Sequence, residues 1–164
     1  MSKTLWGEFD GWTYWHFSRE MPPDDLPRFA DVIRLWQAKR KGRIVPQWAD
    51  FDFYDFVGWH GWVNIHEVNY DPFDYRVRLS GTLADELYGQ STHGYGRAEM
   101  NEIYAETEKR DEFDEHACRN LLISFVEGPF NAVGMTFRKV EYLELPLSDN
   151  GERATHTIEV LQPI

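Results

Sequence analysis

Aromatic residues dominate the start of the chain, and no regular period connects them. Residues 5–18, LWGEFDGWTYWHFS, contain six aromatic residues that are interrupted by two glycines. Helical periodicity is absent, so this segment is expected to be a short strand or an irregular arm laid over the domain. Exposed aromatic side chains would make such an arm sticky, so it is expected to dock on its own core or on a second copy of the chain.

A helical pattern follows this arm. Asp24 and Asp25 supply N-cap chemistry, and Pro27 suits the first helical turn. Apolar residues then recur at spacings of three and four, as on one face of a helix. They are Leu26, Phe29, Ile33 and Trp36. The pattern predicts an amphipathic helix that ends near Lys41-Gly42, and it divides the chain into an aromatic arm over residues 1–24 and a main domain over residues 25–164.

The next elements indicate a β-hairpin and a short helix. Residues 63–68 have the composition of a strand, and residues 70–74 have that of a turn. Residues 75–80 alternate apolar and polar side chains, as a half-buried strand does. The following segment, from Leu83 to Tyr88, predicts a short helix that Gly89 allows to turn.

This short helix and the segment after it have the spacing of a DNA-binding helix-turn-helix. A recognition helix would have to start near Ser91-Thr92, where Gly94 and Gly96 follow. Each glycine inside a helix costs about 1 kcal/mol relative to alanine. The next helical segment is acidic and would repel phosphate, so the helix-turn-helix is rejected.

Helices and then strands are predicted for the rest of the chain. Residues 97 to about 122 have helical patterns, and a change of phase near residues 109–111 indicates two helices or a kink. Gly128-Pro129 is expected to break this helical region. Residues 135–147 and 155–161 are predicted strands, and the Asn-Gly turn within residues 148–151 would join them as a hairpin.

Charge and composition limit the classes of function. The 164 residues carry a net charge of −11, whereas a free-standing nucleic-acid binder needs a basic face. The basic run at residues 39–43 follows a predicted helix, where cations complement the negative end of the helix dipole. No segment resembles a signal peptide or approaches the roughly 20 apolar residues of a membrane span, so a cytoplasmic protein is expected.

The residues that usually carry catalysis or bind metals form no recognisable motif. The six histidines include no zinc-protease pair, and Cys118 has no base or oxyanion site that the sequence places beside it. His60 and His66 could meet in a hairpin, and His93 or His116 could in principle ligate a haem. A hydrogen-bonded structural role is favoured for each lone histidine and a buried structural thiol for Cys118, so no enzyme is predicted.

A series of short motifs occurs in order between about Phe29 and Leu161. The series contains LW at 35–36, GRIVP at 42–46, ADFD at 49–52, a strand near 65–68, YRVRLSGT at 75–82, YG at 88–89, GP at 128–129, and EYLELPLS at 141–148 with Gly151. In this order and spacing it resembles a PAS-like family of single small domains that is widespread in alphaproteobacteria. The resemblance implies an α+β fold in which a five-stranded antiparallel sheet carries helices on one face. The N-terminal helix and the aromatic arm are expected in addition, and the arm lies outside the match or fits it poorly.

The same resemblance implies a stand-alone sensory or signalling module. PAS domains bind small molecules or cofactors, or mediate dimerisation. This sequence lacks the Asn-Cys-Arg motif that carries a photoreactive flavin cysteine, and no histidine matches a haem ligand, so the cofactor is unknown. The expected partners are a second copy of the chain, a regulatory protein and a small ligand, with no nucleic acid.

The resemblance places a ligand pocket between the sheet and the segment from residue 83 to residue 100. Leu79, Tyr88, His93 and Met100 are the predicted ligand-binding residues, and the aromatic arm is the predicted dimer contact. One alternative is a small α+β enzyme of the cone-shaped, dehydratase-like type, which needs a polar pair deep in its cavity, for instance around His66 or His93. The other is a purely structural dimerisation module with a filled core.

Overall fold

A computed structural model describes residues 3–104, 108–130 and 138–164. The strands are β1 (Lys3–Phe9), β2 (Trp12–Phe17), β3 (Val63–Asn69), β4 (Asp74–Leu79), β5 (Ile123–Phe130), β6 (Arg138–Leu147) and β7 (His156–Pro163). The α-helices are α1 (Ala30–Lys39), α2 (Thr82–Tyr88), α3 (Arg97–Tyr104) and α4 (Glu108–Asn120). Short 3-10 helices cover Pro27–Phe29, Trp48–Asp50, Phe53–Phe56 and His60–Trp62. No helix in the described ranges is long and apolar enough to cross a membrane.

All seven strands form one antiparallel sheet in the order β1-β2-β5-β6-β7-β3-β4. The predicted five-stranded sheet is therefore wrong by two strands, because the aromatic arm forms a hairpin of its own. Asp10 and Gly11 both take positive φ, 53° and 84°, which is the conformation of a tight two-residue hairpin turn. The second strand of this hairpin then pairs with β5, for example Tyr14 with Val126.

Helices cover both faces of the sheet, so the prediction that they lie on one face is wrong. On β6, Leu143, Leu145 and Leu147 belong to the core that contains Trp36 of α1, and the Trp36 indole Nε1 donates to the Pro146 carbonyl at 2.9 Å. The alternate β6 residue Tyr142 belongs to a second core with residues of α2, α3 and α4. We call the first side the α1 face and the second the helical face. This alternation follows from the two-residue period of a strand.

Three predicted turns lie where the sequence placed them. β3 and β4 form an antiparallel hairpin, and so do β6 and β7. The short helix α2 ends at Gly89, which has φ of 74° and caps the helix in the left-handed conformation. The two predicted helices after it are α3 and α4. Residues 109–111, where a break was expected, lie instead in the first turns of α4.

The prediction that Gly128-Pro129 breaks a helical region is wrong. Helix α4 ends at Asn120, and both residues lie inside β5. The glycine serves packing there, because a Cβ at Gly128 would stand 2.4 Å from a ring carbon of Trp12. The predicted start of the next strand, at Met135, lies outside the described residues.

Candidate functional site

A cluster of ionisable side chains lies buried on the helical face. His66 of β3, Glu144 of β6 and Glu159 of β7 come from three adjacent strands at the centre of the sheet. The strand register brings them together, because Glu144 pairs with Glu159 and His66 pairs with Thr157. Side chains of paired residues lie on the same side of the sheet, so the three groups are neighbours. We call these three residues the His-Glu-Glu cluster.

The groups of this cluster lie within reach of one another. The His66 Nδ1 atom is 3.6 Å from Glu144 Oε1 and 3.3 Å from the hydroxyl of Thr157. One ligand atom from each of the three cluster residues lies within 4.8 Å of the others. His66 and Glu159 are buried, whereas the Glu144 side chain keeps 17% of its surface exposed. His66 Nε2 has no hydrogen-bond partner among the described residues.

Asn64 fixes the third member of the cluster. Its side-chain amide donates to Glu159 Oε1 at 3.2 Å, and its carbonyl oxygen accepts the Gly81 N–H at 2.9 Å. Gly81 is the residue that caps the start of α2. The orientation of the Glu159 carboxylate is therefore tied to the point where the chain leaves the sheet.

Burial and mutual charge set the protonation of the cluster. Burial works to lower the pKa of His66, but the hydrogen bond to Glu144 and the nearby carboxylates prevail and raise it. Burial works to raise the pKa of Glu144, but the hydrogen bond and charge of His66 lower it. Burial raises the pKa of Glu159. The cluster therefore favours a charged pair of His66 and Glu144 beside a Glu159 that retains its proton more readily than an ordinary glutamate.

Helix α4 supplies the polar cover of this cluster. Its residues Arg110 and Asp114 are both buried, and the Arg110 Nε atom contacts the two carboxylate oxygens of Asp114 at 3.3 and 3.2 Å. The charge of Asp114 is one of the causes that raise the pKa of His66. The charges of the helix and of the cluster therefore influence each other.

A small cavity adjoins the cluster beneath α4. It holds about 10 Å³ and is lined by Asp114, Ala117, Cys118, Leu122, Ser124, Glu144, Pro146 and Thr157. This is room for one water molecule or one ion. Cys118 is buried there, and burial raises the pKa of its thiol well above the ordinary value. That environment is typical of an unreactive structural thiol.

The structure brings together two of the four predicted ligand-binding residues. Tyr88 and Met100 are buried in the core of the helical face, and the Tyr88 hydroxyl lies 3.4 Å from that of Tyr142. Leu79 lies on the α1 face and is 45% exposed. His93 is exposed in the turn after α2. A ligand-binding role for these four residues stays a prediction.

A second candidate site is an apolar pocket of about 260 Å³ on the α1 face. Its lining consists of Trp48, Phe51, Asp52, Phe53, Phe56, His60, Val63, Ile65 and Leu79. Beside it, Phe53, Tyr54 and Val57 are 67%, 79% and 68% exposed. We call these three residues the apolar ridge. The Asp52 and Asp55 side chains cap the 3-10 helix at Phe53–Phe56 and so hold most of the ridge in place.

Sequence reasoning considered His66 but missed Glu144, Glu159 and Asn64. The available signal lies in the strand alternation. In β6 the leucines at 143, 145 and 147 mark one covered face, and Glu144 stands between them. In β7, Glu159 stands in the same way between Ile158 and Val160. Such residues look like a solvated face until helices are known to cover that side.

No protein-family model matches this sequence, and no curated protein matches it. Its structure is similar to that of an RNA-binding light-oxygen-voltage receptor, with a TM-score of 0.50 and 12% sequence identity. The match covers 87% of this chain and 35% of the receptor chain, so the chain spans about a third of the receptor. Light-oxygen-voltage receptors have a PAS-family fold, and the likeness shows that this chain has a PAS-like fold.

Proposed function

We propose that this chain is a PAS-type sensory module that receives a small ligand or ion on the helical face and acts through protein contacts. The observation that carries the proposal is the buried His-Glu-Glu cluster at the centre of a PAS-like sheet. Burying ionisable groups costs free energy unless they are paired, and perturbed groups are concentrated at functional sites. Asp114 and Arg110 of α4 would pass a change in the charge of the cluster to the helix above it.

Stabilisation of the fold by a ligand tests the proposal that the chain binds a small molecule or ion. A ligand present at 100 times its dissociation constant should stabilise the fold by about 2.7 kcal/mol. Native mass spectrometry of the freshly purified protein and a thermal-shift screen of metabolites and ions make the measurement. We expect a bound species or a clear shift. The proposed function would be contradicted if the purified protein contained no bound species, if no compound or ion raised its melting temperature, and if it contacted no other protein.

The proposed protein contact is a second copy of the chain, docked through the apolar ridge. The aromatic arm is less suited to this than its sequence indicated, because Trp12, Tyr14 and Phe17 are buried in their own sheet. A two-fold interface needs a self-complementary patch. The ridge offers projecting side chains such as Tyr54 directly beside an apolar pocket of about 260 Å³ that a partner's side chain can fill.

Substitution of the ridge tests this contact. Tyr54→Ser should weaken a dimer at least tenfold, because buried tyrosines at interface centres commonly contribute about 2 kcal/mol. The measurement is light scattering over a concentration series, in which the monomer mass is 19.4 kDa. Leu5→Ser is the matched control, because Leu5 is a 55% exposed apolar residue on β1. A mass that falls equally in both variants, or in neither, would remove the ridge from the proposal.

A small enzyme is the second candidate, and one observation favours it. His66 and Glu144 form a buried polar pair of the kind that a dehydratase-like enzyme needs. The cavity that adjoins Glu144 in the described part of the chain is nevertheless about 10 Å³, which suits one water and not a carbon substrate. Activity that Glu144→Gln abolishes without loss of folding would favour the enzyme.

A structural dimerisation module is the third candidate, because large aromatic side chains fill much of the helical face. A buried charged pair contributes little to such a role, since apolar replacements are often as stable. Replacement of His66 and Glu144 together by Leu and Met separates the two cases. A purely structural module should keep its dimer, whereas a sensor should lose its ligand response.

The partners proposed here exclude nucleic acid, although the similar receptor is described as RNA-binding. RNA binding is a property of that protein, of which this chain matches 35%. The net charge of −11 disfavours contact with phosphates. Retention of the protein on single-stranded RNA at 50 mM salt would contradict this part of the proposal.

A further inference from the structure

The His-Glu-Glu cluster has the composition of a metal-binding site. It provides one imidazole nitrogen and two carboxylates, and these atoms lie within 4.8 Å of one another. Bonds of about 2.0–2.2 Å from one metal ion to such ligands place the ligand atoms roughly 3–4 Å apart. The His66–Glu144 distance of 3.6 Å already lies in this range. Small side-chain movements would complete the triangle with Glu159.

Two features beside the cluster supply what a metal ion needs beyond three ligands. The Thr157 hydroxyl lies 3.3 Å from His66 Nδ1, close enough to become a further oxygen ligand. The cavity of about 10 Å³ that Glu144 and Thr157 line has room for a metal-bound water. The 17% exposure of Glu144 gives an ion a route from solvent.

Asn64 acts on the cluster as an outer-shell residue does at metal sites. Its amide donates to Glu159 Oε1, which leaves the other carboxylate oxygen of Glu159 available to a cation. Outer-shell hydrogen bonds of this kind orient metal ligands, and their loss typically weakens metal affinity 10- to 100-fold. The backbone of Gly81 holds Asn64 in turn.

Charge balance favours a divalent ion. Metal binding displaces the proton of His66 and any proton that Glu159 holds. The two carboxylates and the neutral imidazole that result carry a charge of −2, which one divalent cation neutralises. Imidazole suits zinc, iron, copper and nickel, whereas carboxylates also suit manganese. Calcium and magnesium prefer oxygen ligands alone. The mixed set therefore selects a first-row transition metal over the alkaline-earth ions.

We propose that His66, Glu144 and Glu159 bind one divalent first-row transition-metal ion on the helical face, with Asn64 as a positioning residue and Thr157 or a water as a further ligand. This site stands on the geometry of the cluster and does not require that the chain be a sensor. If the chain is one, the metal is the species that it senses.

Titration of the chelator-treated full chain tests the proposal. Zn²⁺, Mn²⁺ and Co²⁺ are each titrated by calorimetry, with Ca²⁺ and Mg²⁺ as comparison ions. We expect one equivalent of at least one transition metal to bind, and weaker or no binding of the comparison ions. Visible absorption of the Co²⁺ form should show a coordinated ion rather than the hexaaqua ion.

Matched variants assign the ligands. Glu144→Gln and Glu159→Gln keep side-chain shape and should each weaken binding at least about 100-fold, while Asn64→Ala should weaken it about tenfold. His156→Gln is the control, since His156 also faces a carboxylate, Asp149, at 3.9 Å but lies outside the cluster. Circular dichroism of each variant confirms folding. X-ray absorption of the wild-type Co²⁺ form identifies the ligand types without any variant. We expect one imidazole nitrogen among oxygen ligands.

Failure of this proposal is distinct from failure of the proposed function. Absence of stoichiometric binding by the wild type, or binding that both glutamine variants retain, overturns the metal site. Metal binding that leaves the light-scattering mass and partner contacts unchanged upholds the site and counts against a sensory role for it.

Discussion

At the scale of single residues, His16 is a buried imidazole that the fold keeps uncharged. Burial, and then the charge of His116 on α4, lower the pKa of His16 to about 4, although a backbone hydrogen bond at Phe113 opposes this. The ring stacks on Phe113 with centroids 4.1 Å apart, and Trp6 contacts it from β1. His16 Nε2 has no hydrogen-bond partner among the described residues.

This arrangement predicts acid sensitivity of the fold. In the unfolded chain His16 takes up a proton below about pH 6.5, whereas in the folded chain it does so only below about pH 4. The unfolded state therefore binds more protons between these values, and stability falls as pH falls through that window and levels off below it. The contribution of His16 to this loss is at most about 3 kcal/mol.

A variant isolates this contribution. His16→Phe keeps the stack on Phe113 but cannot be protonated, so its free energy of unfolding should fall less than that of the wild type between pH 6.5 and 4. Urea unfolding at several pH values makes the comparison. His93→Gln, which changes an exposed histidine, should keep the wild-type slope. Parallel slopes for His16→Phe and the wild type would show that His16 is not the source.

The candidate site was only partly predictable at this scale. The sequence indicated that His60 and His66 could meet in a hairpin, and it named a polar pair around His66 or His93 as the requirement of an enzyme. The structure instead places His60 in the pocket of the α1 face and His66 with Glu144 and Glu159 on the helical face. The sequence could not supply Glu144 and Glu159, because they lie 78 and 93 positions away (144 − 66 and 159 − 66) and meet His66 only through strand register. The order of strands in the sheet determines which residues become neighbours, and local sequence patterns do not reveal that order.

At the scale of elements, local sequence patterns predicted the helices and those hairpins whose strands are joined by short turns. The hairpins β3–β4 and β6–β7 and the helices α1 and α2 follow from strand alternation, helical spacing and turn residues. The β1–β2 hairpin was missed although Asp10-Gly11 is a strong turn signal. Both faces of β2 are covered, so Trp15 and Phe17 point one way, and Trp12 and Tyr14 the other. The two polar residues of β2, Thr13 and His16, lie on opposite faces among aromatic residues, so the strand shows no alternation of apolar and polar side chains.

The contact of Trp12 with Gly128 predicts how this hairpin is attached to the sheet. A Cβ at residue 128 would lie 2.4 Å from a Trp12 ring carbon, so Gly128→Ala forces the indole or β5 to shift. Overpacking of this kind costs about 1–3 kcal/mol. In a Trp12→Leu background the obstructing ring is gone, and the same substitution should cost under about 0.5 kcal/mol.

Urea unfolding of the four proteins in this double-mutant cycle measures the coupling. A coupling energy above about 1 kcal/mol is expected between residues 12 and 128. Equal costs of Gly128→Ala in both backgrounds would mean that the glycine serves some other part of β5. In that case the contact between Trp12 and Gly128 would not be what holds β2 in register on β5.

At the scale of the whole molecule, the two candidate sites lie on opposite faces of one sheet. Strand β3 contributes to both, because Ile65 lines the apolar pocket on the α1 face and His66, the next residue, belongs to the cluster on the helical face. A register shift in the β3–β4 pairing falls between these two residues. His66 and the pocket beside the apolar ridge are therefore separated by one residue of the same strand, so a ligand that displaced His66 would also act on the pocket wall at Ile65.

The net charge of the molecule opposes the proposed dimer. This repulsion allows a test of whether apolar contact drives dimerisation. Each copy carries a net charge of −11, so two copies repel each other at long range. The contact itself is apolar, with Phe53, Tyr54 and Val57 as the projecting residues. Added salt shortens the screening length from about 10 Å at 0.1 M to about 3 Å at 1 M and strengthens apolar association little by comparison.

Dimerisation should therefore tighten as sodium chloride rises from 0.1 to 1 M. Sedimentation equilibrium at several salt concentrations gives the dissociation constant, and Tyr54→Ser should remain weaker than the wild type throughout because its defect is apolar. A dimer held by ion pairs between the copies would loosen with salt instead. That outcome would move the contact from the apolar ridge to a surface where basic residues of one copy face acidic residues of the other.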